Sequence, residues 1–254
     1  MATAQSRGGP GAAPLYEVFS SVQGEATRVG ERHLFVRLAG CDLECVFCDT
    51  PASRRIPAKA RVFFPSGVEE TPNPVAADDL DRLVARLDEE AGPHHAVSLT
   101  GGEPLLFVDF LRPLAKRWRE RGLAILLETG GHRPAELEAM LDVVDVVMAD
   151  IKLASSAGCA VDPGTARAFL RLAATKECAV KLVVSGHTTA DEVVEAARLV
   201  ADCAPRTPLI LQPVSGLRFD PPRGEHLLLL QQAAMREHRA VRVIPQTHRA
   251  LHLR

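Results

Sequence analysis

The chain has 254 residues, of which 46% are hydrophobic and 24% are charged, and its formal net charge is -2. A chain of this size and composition can bury one large core. The nearly neutral charge excludes a general electrostatic attraction to nucleic acid or to an anionic membrane. We therefore expect a globular protein that has neither as a partner and holds its ligands in specific sites.

The first residues, MATAQSRGGPGAAP, contain one arginine but lack the apolar stretch of a signal peptide. No later segment approaches the roughly 18 consecutive apolar residues of a membrane span. We expect a disordered leader over residues 1–14, a single domain over residues 15–254, and a cytoplasmic location. A chain this long needs no disulfides to fold, so metal or redox chemistry explains crowded cysteines better.

Short apolar runs alternate with amphipathic segments along the chain. The runs predict strands at 34–38, 96–100, 123–128, 144–149, 179–184, 208–212 and 240–244. The amphipathic segments predict helices at 76–90, 109–121, 134–142, 164–174, 189–203 and 222–238. Asp78 or Asp79 is the candidate N-cap of the first helix. Trp118, within the second helix, is expected to serve packing.

Strands without polar alternation, each followed by a helix, are typical of a parallel sheet covered by helices. We predict an α/β fold, a partial TIM-like (β/α) barrel of about six to seven parallel strands. Residues 51–75 interrupt the rhythm with five prolines. This segment is either a functional insertion or an inert surface loop.

Polar clusters follow each predicted strand at its carboxyl end. They are Gly40–Cys41, Thr100–Pro104, Glu128–Gly131, Asp150–Lys152, Ser185–His187, Gln212–Gly216 and Pro245–His248. In a barrel of parallel strands these ends share one face, which is where such enzymes place their chemistry. The sequence therefore predicts one active site at this face.

Cys41, Cys45 and Cys48 have the spacing C-x3-C-x2-C. A zinc site would need a fourth nitrogen or sulfur ligand, for which Cys159 or His33 is the candidate. Bacterial ferredoxins use the different run C-x2-C-x2-C-x3-C, which supplies further thiolates. A 4Fe-4S cluster on three thiolates leaves one iron open to a small chelating molecule.

The cysteine triad, with Phe47 before its last member, resembles that of the radical S-adenosylmethionine superfamily, and TGGEP on the next strand strengthens the likeness. The resemblance implies that S-adenosylmethionine chelates the open iron through its amino and carboxylate groups. One-electron reduction then yields a 5'-deoxyadenosyl radical. Gly101, Gly102 and Glu103 are expected to help hold the amino group.

The segment YEVFSSVQGEATRVGERHLFVRLAGCDLECVFCDT, residues 16–50, resembles the 7-carboxy-7-deazaguanine synthase family. The likeness resumes at TGGEP, ETGG, DIK, LQP and IPQTH. It implies a lyase that converts 6-carboxy-5,6,7,8-tetrahydropterin to 7-carboxy-7-deazaguanine with loss of ammonia, in queuosine and other 7-deazapurine biosynthesis. The implied cofactors are a 4Fe-4S cluster, regenerated S-adenosylmethionine and Mg2+.

The same resemblance assigns residues to the site. Substrate contacts are expected from Val22, Gln23, Gly24, Glu25, Arg37, Thr100 and Pro245. Arg37 suits the substrate carboxylate because a guanidinium pairs with it bidentately. Cofactor contacts are expected from Phe47, Cys48, Asp49, Gly101, Gly102, Glu103, Glu128, Asp150, Ile151, Lys152 and Gln212. Thr50 matches the position whose hydroxyl binds Mg2+.

The chain departs from the family pattern at Ala26, where QGEG has its second glycine, and at Gly130, where ETSG has serine. Two alternatives stay open. One is an activase that takes a hydrogen atom from a glycine of a partner enzyme; the other is a zinc or Fe-S protein without catalysis. The family also implies a flavodoxin or ferredoxin as electron donor and a homodimer. His248 is either a substrate contact or part of a solvated tail.

Overall fold

The computed structural model describes residues 11–159, 161–215 and 220–254. Its strands are β1 (Ala12–Ala13), β2 (Leu15–Val22), β3 (Arg32–Leu38), β4 (Lys59–Phe64), β5 (Gly67–Pro72), β6 (Val75–Ala76), β7 (Ala96–Gly101), β8 (Ala124–Thr129), β9 (Val146–Ile151), β10 (Glu177–Val184), β11 (Leu209–Pro213) and β12 (Val241–Val243). Its helices are α1 (Ala77–Ala91), α2 (Val108–Glu120), α3 (Pro134–Glu138), α4 (Ala154–Ala157), α5 (Pro163–Ala173), α6 (Ala190–Cys203), α7 (Gly224–Glu237) and α8 (Thr247–Ala250).

The main sheet has 10 strands in the order β12-β11-β10-β9-β8-β7-β3-β2-β4-β5. All pairings from β3 through β7 to β12 are parallel, and these strands coincide with the predicted ones. The predicted α/β fold with a partial barrel of parallel strands is therefore confirmed. Within the described residues β12 and β5 are the edges, so the sheet stays open.

The other half of the sheet comes from segments outside the predicted alternation of strands and helices. β2 pairs with β3 in antiparallel orientation, and β4 joins β2 on its other side. The proline-rich segment 51–75 supplies β4 and β5, an antiparallel hairpin that extends the sheet, so this part of the chain is not a loop without structure.

The predicted leader is partly wrong. Residues 1–10 lie outside the described residues, whereas β1 pairs with β6 in a small antiparallel sheet and Ala13 and Pro14 are buried. The leader expected over residues 1–14 therefore does not extend past residue 10.

The helices cover one face of the sheet and bury large side chains against it, among them Trp118, Phe110 and Phe169. The N-cap predicted for α1 is wrong. Ala76 occupies that position without a side-chain hydrogen bond, and the two aspartates lie in the first turn, where Asp78 pairs with Arg117. Among the described residues, no helix has the length and apolar character that crossing a membrane requires.

Trp118 is fully buried, and its Nε1 donates to Asp81 Oδ1 at 2.9 Å. We expect Trp118→Ala to lower the free energy of unfolding by about 3–5 kcal/mol because it leaves a large cavity between α1 and α2. Leu251→Ala is the control, since Leu251 is 54% exposed and should change stability little. Urea denaturation measures both, and equal effects would contradict the packing described here.

Candidate active site

The inner face of the parallel strands is polar toward their carboxyl ends. Side chains alternate between the two faces of a strand, so Ile125 and Leu127 join the large core while Leu126 joins a small cluster on the opposite face. Glu128 lies two residues after Leu126, so its side chain is on the same face of the strand. Along the other strands the same rule turns Arg37, Thr100, Asp150, Lys181 and Gln212 inward.

These inward side chains line one cavity together with the cysteine loop and the segment after β12. The cavity is lined by every residue that the sequence predicts for the site except two. Those lining it are Val22, Gln23, Gly24, Glu25, Arg37, Cys41, Cys45, Phe47, Cys48, Asp49, Thr50, Thr100, Gly101, Gly102, Glu103, Glu128, Asp150, Lys152 and Gln212.

The other two predicted residues lie outside the cavity wall. Ile151 alternates with Asp150 and Lys152 along β9, so its side chain packs against the large core on the other face. Pro245 is exposed, whereas Gln246 and His248 line the cavity. The half-buried His248 is therefore part of the cavity wall and not of a solvated tail.

The cysteine loop is fixed in place by its own backbone. Cys48 N donates to Cys45 O at 3.3 Å, and Val46 N donates to Ala157 O at 2.8 Å, which attaches the loop to α4. Burial raises the pKa of Cys41 to about 11 and that of Cys45 to about 12. These thiols stay protonated in the absence of a metal, and metal binding would have to displace their protons.

The spread of the three thiols fits a cluster better than a single ion. Zinc bonds of about 2.3 Å place the sulfurs of a tetrahedral site about 3.8 Å apart. In the described part of the chain, the only three His, Cys, Asp or Glu side chains whose ligand atoms all lie within 4.8 Å of one another are Glu25, Asp49 and His248. At least two sulfurs of the cysteine triad are therefore more than 4.8 Å apart, farther than in a single zinc site.

Glycines at the end of β7 allow it to cross the start of the cysteine loop. A Cβ on Gly101 would lie 2.3 Å from Leu38 O, and one on Gly102 would lie 1.8 Å from Gly40 O. Gly101 also has φ +133°, which favours glycine. Both glycines are thus required by packing, whatever contact they make with a cofactor.

The carboxylate of Glu103 is buried and held by several donors. It accepts hydrogen bonds from Thr129 Oγ1 at 2.8 Å, Gly130 N at 2.8 Å and Leu105 N at 3.0 Å. Burial raises the pKa of Glu103 despite these hydrogen bonds. The side chain is therefore fixed at the cavity wall beside the cysteine loop.

Glu128 contacts two residues predicted for the substrate, although the sequence assigned it to the cofactor. Gln23 Nε2 donates to its Oε1 at 2.9 Å, and Thr100 Oγ1 donates to its Oε2 at 3.0 Å. Burial, followed by repulsion from Glu25, raises the pKa of Glu128. Glu128 therefore lies among residues predicted for the substrate.

Lys181 is the main residue that sequence reasoning missed. Its Nζ contacts Glu25 Oε2 and lies 3.4 Å from Asp150 Oδ1, while Lys152 Nζ lies 2.7 Å from Asp150 Oδ2. Burial lowers the pKa of Lys181, but Asp150 and Glu25 outweigh it and hold this pKa well above its usual value. The available signal was a lysine within the apolar run AVKLVV.

Arg37 is anchored through only part of its guanidinium. Its Nε donates to Glu17 Oε1 at 3.0 Å, and Arg254 Nη1 donates to Glu17 Oε2 at 2.8 Å. The Arg37 guanidinium carbon lies 5.6 Å from the ring centroid of Phe19. Within the described residues neither Nη group of Arg37 has a hydrogen-bond partner, so both can receive an anion.

Comparison with known proteins agrees with this geometry. The model of the radical SAM superfamily matches residues 36–203. A Geobacter sulfurreducens protein named 7-carboxy-7-deazaguanine synthase is 40% identical, over 94% of this chain and 97% of its own. The chain belongs to the 7-carboxy-7-deazaguanine synthase family. A relative of the same name from Methanothermobacter thermautotrophicus is 34% identical, over 95% of this chain and 98% of its own.

The solved structure of QueE from Escherichia coli has the same fold, with a TM-score of 0.59 and 20% identity over 93% of this chain and 95% of that one. Membership of the radical SAM superfamily implies a 4Fe-4S cluster and S-adenosylmethionine as cofactors. The prediction of a radical enzyme is confirmed, and the alternative of a zinc or Fe-S protein without catalysis is wrong.

We expect Cys45→Ser to lose most of the cluster iron after anaerobic reconstitution. Cys159→Ser is a matched control, because Cys159 Sγ lies only 3.5 Å from Cys45 Sγ yet falls outside the triad. The iron content and the absorbance of the control should both be close to those of the unmodified protein. Iron and sulfide analysis gives the answer, and iron loss in Cys159→Ser would instead make this residue a ligand.

We expect Lys181→Met to lower the free energy of unfolding by about 3–5 kcal/mol near pH 7, because Glu25 and Asp150 lose a buried cation. The raised pKa of Lys181 and the lowered pKa of Asp150 make this pairing stabilising between about pH 4 and pH 10. The difference from the unmodified protein should therefore shrink below about pH 4, as Asp150 protonates.

Lys59→Met is the control for that experiment, since Lys59 forms an exposed pair with Glu70. We expect it to change stability little, because solvent screens such a pair. Urea denaturation across pH measures both variants. A Lys181→Met variant as stable as the control would show that the buried pairing contributes nothing.

Proposed function

We propose that the protein converts 6-carboxy-5,6,7,8-tetrahydropterin to 7-carboxy-7-deazaguanine with loss of ammonia. The main support for this proposal is a single cavity. It is lined both by the loop with the three cysteines and by inward polar side chains such as Gln23, Arg37 and Glu128. Relatives that bear the name of this activity match the chain over most of its length.

The cysteine side of the cavity is the proposed cofactor site. Cys41, Cys45 and Cys48 would hold the 4Fe-4S cluster, which together with S-adenosylmethionine supplies a radical that abstracts hydrogen. The buried carboxylate of Glu103 would receive the amino group of S-adenosylmethionine, since a fixed carboxylate pairs well with an ammonium group. Lys152 lies 5.1 Å from the ring centroid of Phe47, which orders the wall beside it.

The opposite side of the cavity is the proposed substrate site. The two Nη groups of Arg37 would hold the substrate carboxylate, and Glu17 fixes the guanidinium from behind. Glu128, already hydrogen-bonded by Gln23 and Thr100, has acceptor capacity left for N–H groups of the pterin ring. The backbone of Val22 and Gly24 completes this wall.

We also propose that Thr50 binds Mg2+ between the two sides. Its hydroxyl lies 3.3 Å from Asp49 Oδ1, and Mg2+ needs few protein ligands because it keeps waters and substrate oxygens. Gln246 Nε2 donates to Glu25 Oε1 at 2.7 Å and to Asp49 Oδ2 at 2.9 Å, so the segment after β12 holds both carboxylates beside the proposed ion. The ion would orient the substrate carboxylate.

The proposal includes partners. A flavodoxin or ferredoxin would deliver the electron, and Val46, next to Cys45 and 65% exposed, offers an apolar contact on the cysteine loop. A homodimer would cover apolar surface on α7, where Leu228 is 65% and Leu229 is 60% exposed.

The proposed reaction is tested by mass spectrometry of an anaerobic mixture of reconstituted protein, S-adenosylmethionine, dithionite, Mg2+ and carboxytetrahydropterin. We expect 7-carboxy-7-deazaguanine, and none from the Cys45→Ala variant. Formation of 5'-deoxyadenosine without this product would contradict the substrate and would favour the activase alternative.

We expect Arg37→Gln to lower kcat/KM for the pterin by about 10- to 100-fold, mainly through KM, because a charged hydrogen bond to the carboxylate is lost. The affinity for S-adenosylmethionine should stay unchanged. Glu17→Gln is the control, since it removes the anchor of Arg37 but leaves the guanidinium, and its effect should be smaller. An unchanged KM in Arg37→Gln would place the substrate carboxylate elsewhere.

A further inference from the structure

His132, in the loop after β8, lies between two carboxylates. Its Nε2 donates to Asp42, 3.0 Å from both carboxylate oxygens, and its Nδ1 lies 3.9 Å from Glu103 Oε2. The side chain is 12% exposed, and within the described residues its buried Nδ1 has no hydrogen-bond partner. A buried ring nitrogen without a hydrogen-bond partner destabilises the folded protein, so the group that it faces needs an explanation.

Gly130 makes this approach possible. A Cβ at this position would lie 2.9 Å from His132 Nδ1 and 3.2 Å from Glu103 Oε2. Both distances are shorter than ordinary carbon contacts, so a side chain there would push the imidazole away from the carboxylate. The backbone N–H of Gly130 meanwhile donates to Glu103 Oε2 at 2.8 Å.

The other end of the imidazole is fixed to the cysteine loop. Asp42, which directly follows Cys41, also accepts hydrogen bonds from Arg133 Nε at 3.1 Å and Nη2 at 2.6 Å. Asp42 is therefore a firm anchor for Nε2.

We propose that His132 is a positioning residue that holds the Glu103 carboxylate toward the cysteine loop and thereby increases the affinity for S-adenosylmethionine. The inference rests on the proposed role of Glu103 in binding the amino group of that cofactor. His132 does not line the cavity, so it acts through Glu103. With the Nε2 proton directed at Asp42, the ring carries a hydrogen on Nδ1 only as an imidazolium, and that cation 3.9 Å from Oε2 favours the ionised carboxylate, the form that pairs with an ammonium group.

The test measures the dissociation constant of S-adenosylmethionine on anaerobically reconstituted holoenzyme, using ultrafiltration with the radiolabelled compound. His132→Asn keeps a donor near the position of Nδ1, whereas His132→Gln keeps one near Nε2, on the Asp42 side. We expect His132→Gln to weaken binding about tenfold and His132→Asn to stay within about threefold of the unmodified enzyme. Iron content should be the same in all three.

A purely structural role predicts a different pattern. It would affect both variants equally and would reduce iron content or thermal stability along with cofactor affinity. Equal weakening in His132→Asn and His132→Gln, or no weakening in either, overturns the inference.

Gly130→Ser provides the second arm, because its hydroxyl would displace the imidazole and donate to Glu103 Oε2 in its place. In the Gly130→Ser background, His132→Gln should change the dissociation constant less than about threefold. A tenfold effect that persists in this background would show that His132 does not act through the space beside Glu103, and would overturn the inference.

Glu103→Gln separates this inference from the proposed function on which it rests. If Glu103→Gln leaves the affinity for S-adenosylmethionine unchanged, the cofactor role of Glu103 is wrong and both proposals fall. If Glu103→Gln weakens binding while His132→Gln does not, the role of Glu103 stands and only the inference about His132 is overturned.

Discussion

The alternation of side chains along the parallel strands is the constraint on which the site depends. One face of each strand is committed to the large core beneath the helices, so the residues of opposite parity must face the cavity. Register then sets the neighbours, since Arg37 pairs with Thr100 and Asp150 pairs with Lys181. The parallel pairing of the strands is thus sufficient to bring these polar side chains together in the cavity.

Charge pairing holds the two sides of the cavity together. Lys181 contacts Glu25 on the proposed substrate side and Asp150 on the proposed cofactor side, so one buried cation joins both. Gln246 joins Glu25 to Asp49, which links the segment after β12 to the cysteine loop. Because Lys181 is paired with Glu25 and Asp150, these charges can stay buried within a mainly apolar interior.

The sequence predicted the parallel strands and most of the cavity wall, because apolar runs and motifs at their ends are local signals. Ile151 was assigned to the cofactor together with the rest of the DIK motif, although the alternation of side chains along the strand turns it away from Asp150 and Lys152. Lys181 was missed because its partners, Glu25 in the loop after β2 and Asp150 on β9, lie far from it along the chain. The β4–β5 hairpin was hidden by prolines, and Pro245 was chosen over Gln246 because the path of the final segment depends on tertiary contacts.

The central claim is that three thiolates leave one iron for S-adenosylmethionine. Electron-nuclear double resonance tests it directly. The sample is the reduced, reconstituted protein with S-adenosylmethionine that carries 15N at the amino group and 17O at the carboxylate. The account predicts hyperfine couplings of directly coordinated nitrogen and oxygen. Couplings to both labels that are absent or only dipolar, with the cluster intact, would contradict it.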